Sequence, residues 1–367
     1  EHQPPVVVSP FLPAALSTYF TDMNLFGLTE PELTNLAIDA GLPRYRGRQI
    51  SEWLYKHHAS RLEEMSNLPA DLRDRWQGAH EIRTPLPENA GASSDGTRKY
   101  TWPAFGGDIY ESALIPAGDR LTLCVSSQAG CRIGCKFCLT ARKGLKQNLS
   151  SAEILGQYRN LPEREQVTHF VYMGMGEPLD NTEEVVRSLE VLTSDWGYGF
   201  SPRRITVSSV GILPDLEHLI DRTDVNVAVS MHAARRVDRL PLVPSENRFP
   251  IAQIVDLLRH RASLALPPFT EHGRRRLSFE ITMLSGVTDR PEQAAAVRDL
   301  IQGIPARVNL IPWNSFPGTN FEPSRRADIL AYQSILRKAG IMTTIRESRG
   351  EDIGAACGLL AGRRAAG

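Results

Sequence analysis

Apolar residues recur at two different periods along this chain, and the switch between them is its first organising signal. Between Thr29 and Trp76 they fall at the three-to-four-residue spacing of amphipathic helices. Thr29-Glu-Pro-Glu32 reads as a helix start, with a capping residue, then proline and acids in the first turn. Leu33, Leu36 and Ala37 follow on one face. A second helix is expected over residues 48–58, with Ile50, Trp53 and Leu54 together, and a third around Leu68, Leu72 and Trp76. Beyond residue 80 the period changes to two. Residues 97–102 and 108–115 read as a β-hairpin around Phe105-Gly-Gly-Asp108. Short β-type runs then appear at 121–126, 169–173, 204–208, 226–231, 277–283 and 307–311, most of them separated by helical patterns such as 182–193, 251–262 and 292–301. Strand–helix alternation of this kind predicts an α/β fold with a parallel sheet under helices. Six units make a partial (β/α)6 barrel, whose functional residues belong at the C-terminal ends of the strands. The expected organisation is a helical domain over 1–78, a hairpin extension over 79–116, a barrel over 117–348 and a tail over 349–367. Residues 1–14, rich in Pro and Val, read as extended.

Composition narrows the class. Hydrophobic residues make up 41% and charged residues 23%, ordinary for a globular enzyme. Lys and Arg balance Asp and Glu at 42 each, so no global field draws polyanions. Nucleic-acid contact must then come from local patches. Arg44, Arg46 and Arg48 flank Tyr45 in one loop, and Arg203–Arg204, Arg235–Arg236 and Arg274–Arg276 form others. Each patch taken singly is more often a solvated face than a contact. The start of the chain lacks the basic and apolar regions of a signal peptide, and no run approaches the length of a membrane span. A cytoplasmic, monomeric protein is expected.

The chemistry concentrates at Cys131-Arg-Ile-Gly-Cys135-Lys-Phe-Cys138, a C-x3-C-x2-C run directly after the first barrel strand. Three thiolates on a four-iron cluster leave one iron open for a ligand. A zinc site would favour paired C-x2-C groups with further Cys or His nearby. Five cysteines, an odd and low number, argue against a disulfide framework. Polar groups recur at the other strand ends: Gly174-Met-Gly176-Glu177-Pro178, Ser208-Ser209, Ser230-Met231-His232 and Pro312-Trp313-Asn314. Any one alone is a plausible cap or loop residue; their shared position suggests a small-molecule pocket.

These strings carry a resemblance. C-x3-C-x2-C resembles the radical S-adenosylmethionine superfamily. Leu123-Cys124-Val-Ser-Ser-Gln-Ala-Gly-Cys131, Met173-Gly-Met-Gly-Glu-Pro178, Ser230-Met-His232, Asn309-Leu-Ile-Pro-Trp-Asn314 and Arg349-Gly-Glu-Asp-Ile-Gly-Ala-Ala-Cys-Gly358 resemble the RlmN/Cfr family of RNA adenosine methyltransferases over nearly the whole chain. The resemblance implies that Cys131, Cys135 and Cys138 ligate a [4Fe-4S] cluster. It implies that Gly176, Glu177, Ser208, Ser230, Met231, His232 and Asn314 bind S-adenosyl-L-methionine. Cys357 matches the cysteine that is itself methylated, Cys124 its partner, and Glu111 the proton acceptor. Small departures, Leu139 after Cys138, Met231 for Leu and Ser209-Val210 for Thr-Ser, remove none of these polar groups. Read from the residues alone, Cys124 looks like a buried apolar cysteine. Cys357 lies on a small-residue tail that could swing between two stations.

The resemblance further implies a reaction with two cosubstrate molecules. One methylates Cys357; the other is cleaved reductively, and the methyl-derived radical adds to C2 of an adenosine in 23S rRNA. Cys124 then resolves the protein–RNA adduct by forming a disulfide with Cys357. Transfer RNA is a further candidate substrate, and a flavodoxin-like donor would supply electrons. The alternatives are the C8-methylating branch of the family, a non-catalytic iron–sulfur RNA-binding protein, and a zinc-stabilised module.

Overall fold

The computed structural model describes residues 23–264 and 275–361; the segment read as extended, and Arg274, lie outside them. Two compact units form: residues 23–26 with 30–83, and residues 27–29 with those from 84 onward.

The first unit is helical. A short parallel pair joins β1 (Met23–Asn24) to β2 (His80–Glu81), and three helices lie between: α1 (Glu30–Asp39), α2 (Tyr45–Tyr55) and α3 (Ala70–Trp76). Leu33, Ala37, Ile50, Leu54 and Leu72 are buried together with Leu25 and Phe26, as the helical period predicts. The second helix starts three residues earlier than its apolar pattern suggests, so the arginine-rich stretch is its first turn and not a loop. The reason is Gly47, a poor helix former. A Cβ there would stand 2.1 Å from Thr34 Oγ1 and 2.4 Å from Thr34 Cα, so glycine lets α1 and α2 cross closely.

The second unit is built on one ten-stranded sheet. Its antiparallel end holds β3 (Asn89–Ala92), β4 (Arg98–Pro103) and β5 (Ile109–Ala117), with β5 paired to β6 (Arg120–Cys124). A small antiparallel hairpin, β7 (Gln128–Gly130) and β8 (Leu145–Asn148), encloses the short helix α4 (Leu139–Arg142). Helix α5 (Ser151–Arg159) follows, begun by a capping box between Ser150 and Glu153. Strand–helix units continue through β9 (His169–Tyr172), α6 (Thr182–Thr193), β10 (Ile205–Ser209), α7 (Leu213–Arg222), β11 (Asn226–Ser230), α8 (Arg236–Arg239) and α9 (Ile251–Ala262). They end with β12 (Leu277–Met283), α10 (Pro291–Ile301), β13 (Ala306–Pro312), α11 (Arg326–Lys338) and β14 (Thr343–Ile345). From β6 to β14 the neighbours on this sheet are all parallel. The expected hairpin and six barrel strands are present. On this sheet two strands escaped the pattern, β3 and β14, and elsewhere β1, β2, β7 and β8 did, because runs of two to four residues are too short to show alternation.

The two faces of the sheet differ. Leu123, Phe170, Val207, Val229, Phe279 and Leu310 are fully buried, whereas Thr122, Thr206, Ser208, Ser278 and Asn309, in the other phase, are partly accessible and polar. The accessible face is the concave one. Arg346, just past β14, lowers the pKa of the Cys124 thiol at the end of β6. Those strands are six positions apart in the sheet, about 29 Å if it were flat. The sheet therefore curls round a polar lumen, an α/β partial barrel.

Candidate active site at the C-terminal ends of the strands

The cysteine run leaves β7 and forms the rim of the lumen. Its backbone is tied to several elements at once. Cys131 N–H donates to Gly144 O (3.1 Å), Lys136 N–H to Leu242 O (2.9 Å), and Trp313 Nε1–H to Phe137 O (2.9 Å). Phe137 packs edge-on against the His232 ring, centroids 4.6 Å apart. All five cysteines are free thiols. Burial pushes the Cys131 thiol up to about 12. It raises Cys135 as well, with the nearby charges of Cys138 and Cys131 adding to the effect. Three neighbouring thiols whose charges repel are what a bound cationic centre reverses. The donor set, three thiolates with one site to spare, fits a [4Fe-4S] cluster of the kind expected for Cys131, Cys135 and Cys138.

Strand β9 delivers Gly176 and Glu177. A Cβ on Gly176 would stand 2.6 Å from Gln128 Cβ, and its φ of +102° is one that side chains rarely adopt. Glycine there lets the loop lie flat against the segment leading to the cysteines. Gln128 Oε1 in turn accepts from Glu177 N–H (2.9 Å). The Glu177 carboxylate is buried and accepts from Leu179 N–H and Val210 N–H, each at 3.0 Å. Burial nevertheless raises its pKa to about 7, against these hydrogen bonds.

From β10 and β11, Ser208 Oγ and Ser230 Oγ face each other at 3.4 Å across the lumen face. The Met231 side chain is fully buried, and its N–H and C=O are bound by Glu280 O and Arg239. His232 is held at φ +59°, in the left-handed region, at a cost of about 1–2 kcal/mol for a non-glycine residue. Its N–H donates to Glu280 O, and its Nδ1 accepts from Thr282 N–H (3.2 Å), so the neutral ring carries its proton on Nε2. Burial and Arg239 lower its pKa to about 3. Asn314, after β13, donates through Nδ2 to Cys357 O (3.2 Å), and its Oδ1 accepts from Ser348.

The segment carrying Cys357 is docked, unlike the swinging tail its small residues suggest. Leu139 and Thr140 of α4 donate to Gly358 O (2.8 Å) and Leu360 O (2.6 Å). Gly350 N–H donates to Asp95 (2.8 Å), and Ala361 N–H to Glu111 Oε2 (2.8 Å). Glu111 is buried and paired with Lys99 at 3.4 Å, so it holds the tail as well as facing the site. Ala355 packs on Cys124 and Ala113. Cys357 itself is exposed at the mouth, yet its thiol is walled closely enough for desolvation to raise its pKa. Desolvation raises Cys124 too, and the charge of Cys357 adds to it, which marks the two sulfurs as neighbours. No disulfide joins them.

Three residues of the site carried no signal in the sequence. Arg239 is fully buried, pairs with buried Glu246 (2.5 Å), and donates to Val210 O, Ser230 O and Met231 O, lacing the ends of β10 and β11. Glu280 is buried in the lumen; its Oε1 accepts from Ser278 and Asn309 (2.8 Å each), while Oε2 has no partner among the described residues. The Arg346 guanidinium lowers the pKa of Cys124, Cys357 and Glu280 alike.

The basic patches separate on inspection. Arg46 is folded inward to Gln49 and Asn67 O, and Arg48 pairs with Glu52. Arg44 and Tyr45 remain exposed beside a 540 Å³ groove that also holds Glu30 and Glu52. Arg235 is paired with Asp238, and Arg236 donates to Glu246 O and Asn247. Arg275 is buried against Ile220 O, whereas Arg203, Arg204 and Arg276 are exposed.

No helix among the described residues is long and apolar enough to cross a membrane. Residues 125–297 match the family model of the radical SAM superfamily, and residues 23–82 match that of the ribosomal RNA large subunit methyltransferase N-terminal domain. A probable dual-specificity RNA methyltransferase RlmN of Parabacteroides distasonis is 40% identical over 92% of this chain and 96% of its own length. The dual-specificity RNA methyltransferase RlmN of Alcanivorax borkumensis is 38% identical over 93% and 91%. The crystal structure of a radical SAM methyltransferase from Sphaerobacter thermophilus superposes with a TM-score of 0.82 at 36% identity, covering 93% of this chain and all of that one. With relatives of this identity spanning both units, the chain belongs to the RlmN family of radical S-adenosylmethionine RNA methyltransferases.

Proposed function

We propose that this protein methylates C2 of an adenosine in 23S rRNA, with transfer RNA as a second substrate, by way of a methyl group carried on Cys357. The observation that carries this reading is the docked Cys357 segment, which brings an exposed thiol to the lumen mouth beside Cys124 and the cysteine rim. Cys131, Cys135 and Cys138 would hold a [4Fe-4S] cluster, which when bound supplies the electron for reductive cleavage of S-adenosylmethionine. The groups that hold the cosubstrate are then Glu177, Ser208, Ser230, His232 and Asn314. Glu177 retains lone pairs for an ammonium, and Ser208 and Ser230 offer paired hydroxyls for a ribose.

Cys357 accepts the methyl as a thiolate. Arg346 favours that thiolate, against burial and Glu280. The second methyl-group partner is RNA, whose adenine must leave its stack to reach the sulfur. Cys124, within the same walls, then attacks Cys357 sulfur; the S–S bond formed replaces the sulfur–methylene bond, whose electron pair stays with the carbon and takes up a proton to complete the product methyl. Glu111 is the proton acceptor in this scheme. Arg44, Tyr45, Arg203 and Arg204 are the exposed cations and ring available for RNA.

Intact-protein and peptide mass spectrometry of the purified enzyme tests the scheme. A single methyl on the peptide bearing Cys357 is expected, absent in Cys357→Ala. Nucleoside analysis of the RNA product should give 2-methyladenosine; 8-methyladenosine would move the protein to the other branch. RNA binding without either methylated species would leave only a non-catalytic iron–sulfur protein.

A further inference from the structure

Five basic side chains gather at the end of the lumen away from the cysteines. Arg120 and His169 are the first residues of β6 and β9, Arg307 the second of β13, and Arg204 and Arg276 directly precede β10 and β12. All five are in the lumen phase of their strands: Arg120 with Thr122 and Cys124, His169 with Val171, Arg204 with Thr206 and Ser208, Arg276 with Ser278 and Glu280, Arg307 with Asn309. The contacts Ser208–Ser230 and Glu280–Asn309 fix that phase as the inner one.

The five converge. His169 is depressed by burial and then by Arg120, Arg204 and Arg276. Arg276 is depressed by burial and then by Arg307 and Arg120. Strands β6 and β12 are four positions apart, about 19 Å on a flat sheet, so these charges meet only across the curled lumen. Among the described residues no carboxylate contributes to either shift. Among the described residues Arg120, Arg204 and Arg307 make no ion pair, and the Arg276 guanidinium donates only to neutral oxygens, Asn226 Oδ1 and Arg203 O. His169 Nδ1 lies 2.9 Å from Thr168 Oγ1, which leaves Nε2 for another partner. Like charges gathered without a counter-charge cost stability, and such groups are ordinarily paired or bind an ion.

We propose that this N-terminal mouth of the barrel is a binding site for a phosphate-bearing anion. Several guanidinium forks around one opening match the tetrahedral, multiply charged oxygens of phosphate and can engage it bidentately. Convergence of four of them favours a group with more than one charge, such as pyrophosphate or the phosphates of a nucleotide, over a carboxylate. Four residues of strand, about 13 Å, separate Arg120 from Cys124 on β6, so an anion bound at the strand starts touches neither the cysteines nor the cosubstrate groups. Both a free anion and an RNA backbone phosphate carry this chemistry.

The test uses the full chain with its cluster reconstituted, at low salt. Pyrophosphate and a short single-stranded oligoribonucleotide are titrated by calorimetry, and the pKa of His169 is followed by NMR of labelled histidine. The wild type should bind pyrophosphate, and binding should raise the His169 pKa. Arg276→Gln/Arg307→Gln should weaken binding at least tenfold, as loss of charge-assisted hydrogen bonds predicts. It should also raise the anion-free His169 pKa, because a neighbouring cation is gone. Arg120→Gln, an exposed single change, should shift both readouts the same way and serves if the double variant folds poorly. A matching loss for the oligoribonucleotide assigns the site to an RNA phosphate; a loss for pyrophosphate alone assigns it to a free anion. No binding of either probe, or equal binding by wild type and variants, overturns the proposal.

Discussion

Replacing Arg239 by Met probes the part of the site that holds it in shape. The change keeps the aliphatic stem and removes the guanidinium. Arg239 and Glu246 are both essentially inaccessible, so Glu246 would be left as an uncompensated buried charge. Breaking a buried pair from one side costs about 3–5 kcal/mol. Three carbonyls, Val210 O, Ser230 O and Met231 O, also lose donors at 3.0, 3.0 and 2.9 Å. These lost bonds place the expected loss at the upper end of the range, about 5 kcal/mol. Glu246→Gln removes the charge but keeps an acceptor for Ile251 N–H, now at 2.9 Å. The double variant Arg239→Met/Glu246→Gln should therefore lose about 3 kcal/mol less than the sum of the two single losses. Urea unfolding of the apoprotein, followed by circular dichroism and by tryptophan fluorescence, measures all three variants. A single-variant loss below about 1 kcal/mol, or additive losses in the double variant, would refute the buried-pair reasoning. Because Arg239 laces Ser230 and Val210 to the loop, S-adenosylmethionine affinity should fall in both variants that lack it.

Glu177 gives the apoprotein a pH signature: its pKa is raised from 4.5 to about 7, so the stability it contributes is full below pH 4.5 and lost as pH rises through 7. The shift corresponds to about 3 kcal/mol, and Glu177→Gln should flatten the stability profile between pH 5 and 8 relative to wild type. Gly176→Ala should cost at least about 2 kcal/mol, from the 2.6 Å approach to Gln128 and the positive φ, and should lower S-adenosylmethionine binding; an unchanged melting temperature would count against the close-approach argument. Arg346→Gln raises the Cys357 pKa, so alkylation of that thiol by iodoacetamide at pH 8 should slow several-fold, while Glu280→Gln should speed it; equal rates would remove Arg346 from the site. Glu111→Ala should loosen the tail, with amide exchange over residues 350–361 accelerating roughly tenfold for the lost hydrogen bond to Ala361; unchanged protection would mean Glu111 does not hold it.

How much of this was legible in the residues depended on periodicity. Six parallel strands and the hairpin announce themselves because each is long enough to alternate, and the polar residues that matter stand at their ends. The start of α2 was hidden by Gly47, whose role is a close crossing with Thr34 that no one-dimensional pattern shows. Arg239 and Glu280 look like any helix-end arginine and any strand glutamate; only burial reveals them as a keystone and as a carboxylate with a bare oxygen. The docking of the tail was equally invisible, because it depends on backbone. The first N–H groups of α4 need acceptors outside the helix, and Gly358 O supplies one to Leu139 while Leu360 O takes the Thr140 hydroxyl. A small-residue segment that looks mobile is thereby fixed at one end by the very loop that carries the cluster cysteines.

The curled sheet also explains why chemistry and anion binding can coexist without interference. Period-two alternation gives the helix-covered face its apolar residues and leaves the lumen face mostly polar, with Val171, Ala228 and Ile311 as its apolar members. Along that face the character changes in layers. Cations stand at the strand starts; Thr122, Thr206, Ser278 and Asn309 fill the middle, with Glu280 beside Asn309; Cys124 and Arg346 stand at or just past the strand ends. On β6 about 13 Å of strand separates Arg120 from Cys124, which weakens the pull of the cationic mouth on thiolates at the far end. Arg346 is thus the cation positioned to tune Cys124 and Cys357, and its effect on both thiols, across six strand positions, follows directly from the curvature that forms the lumen.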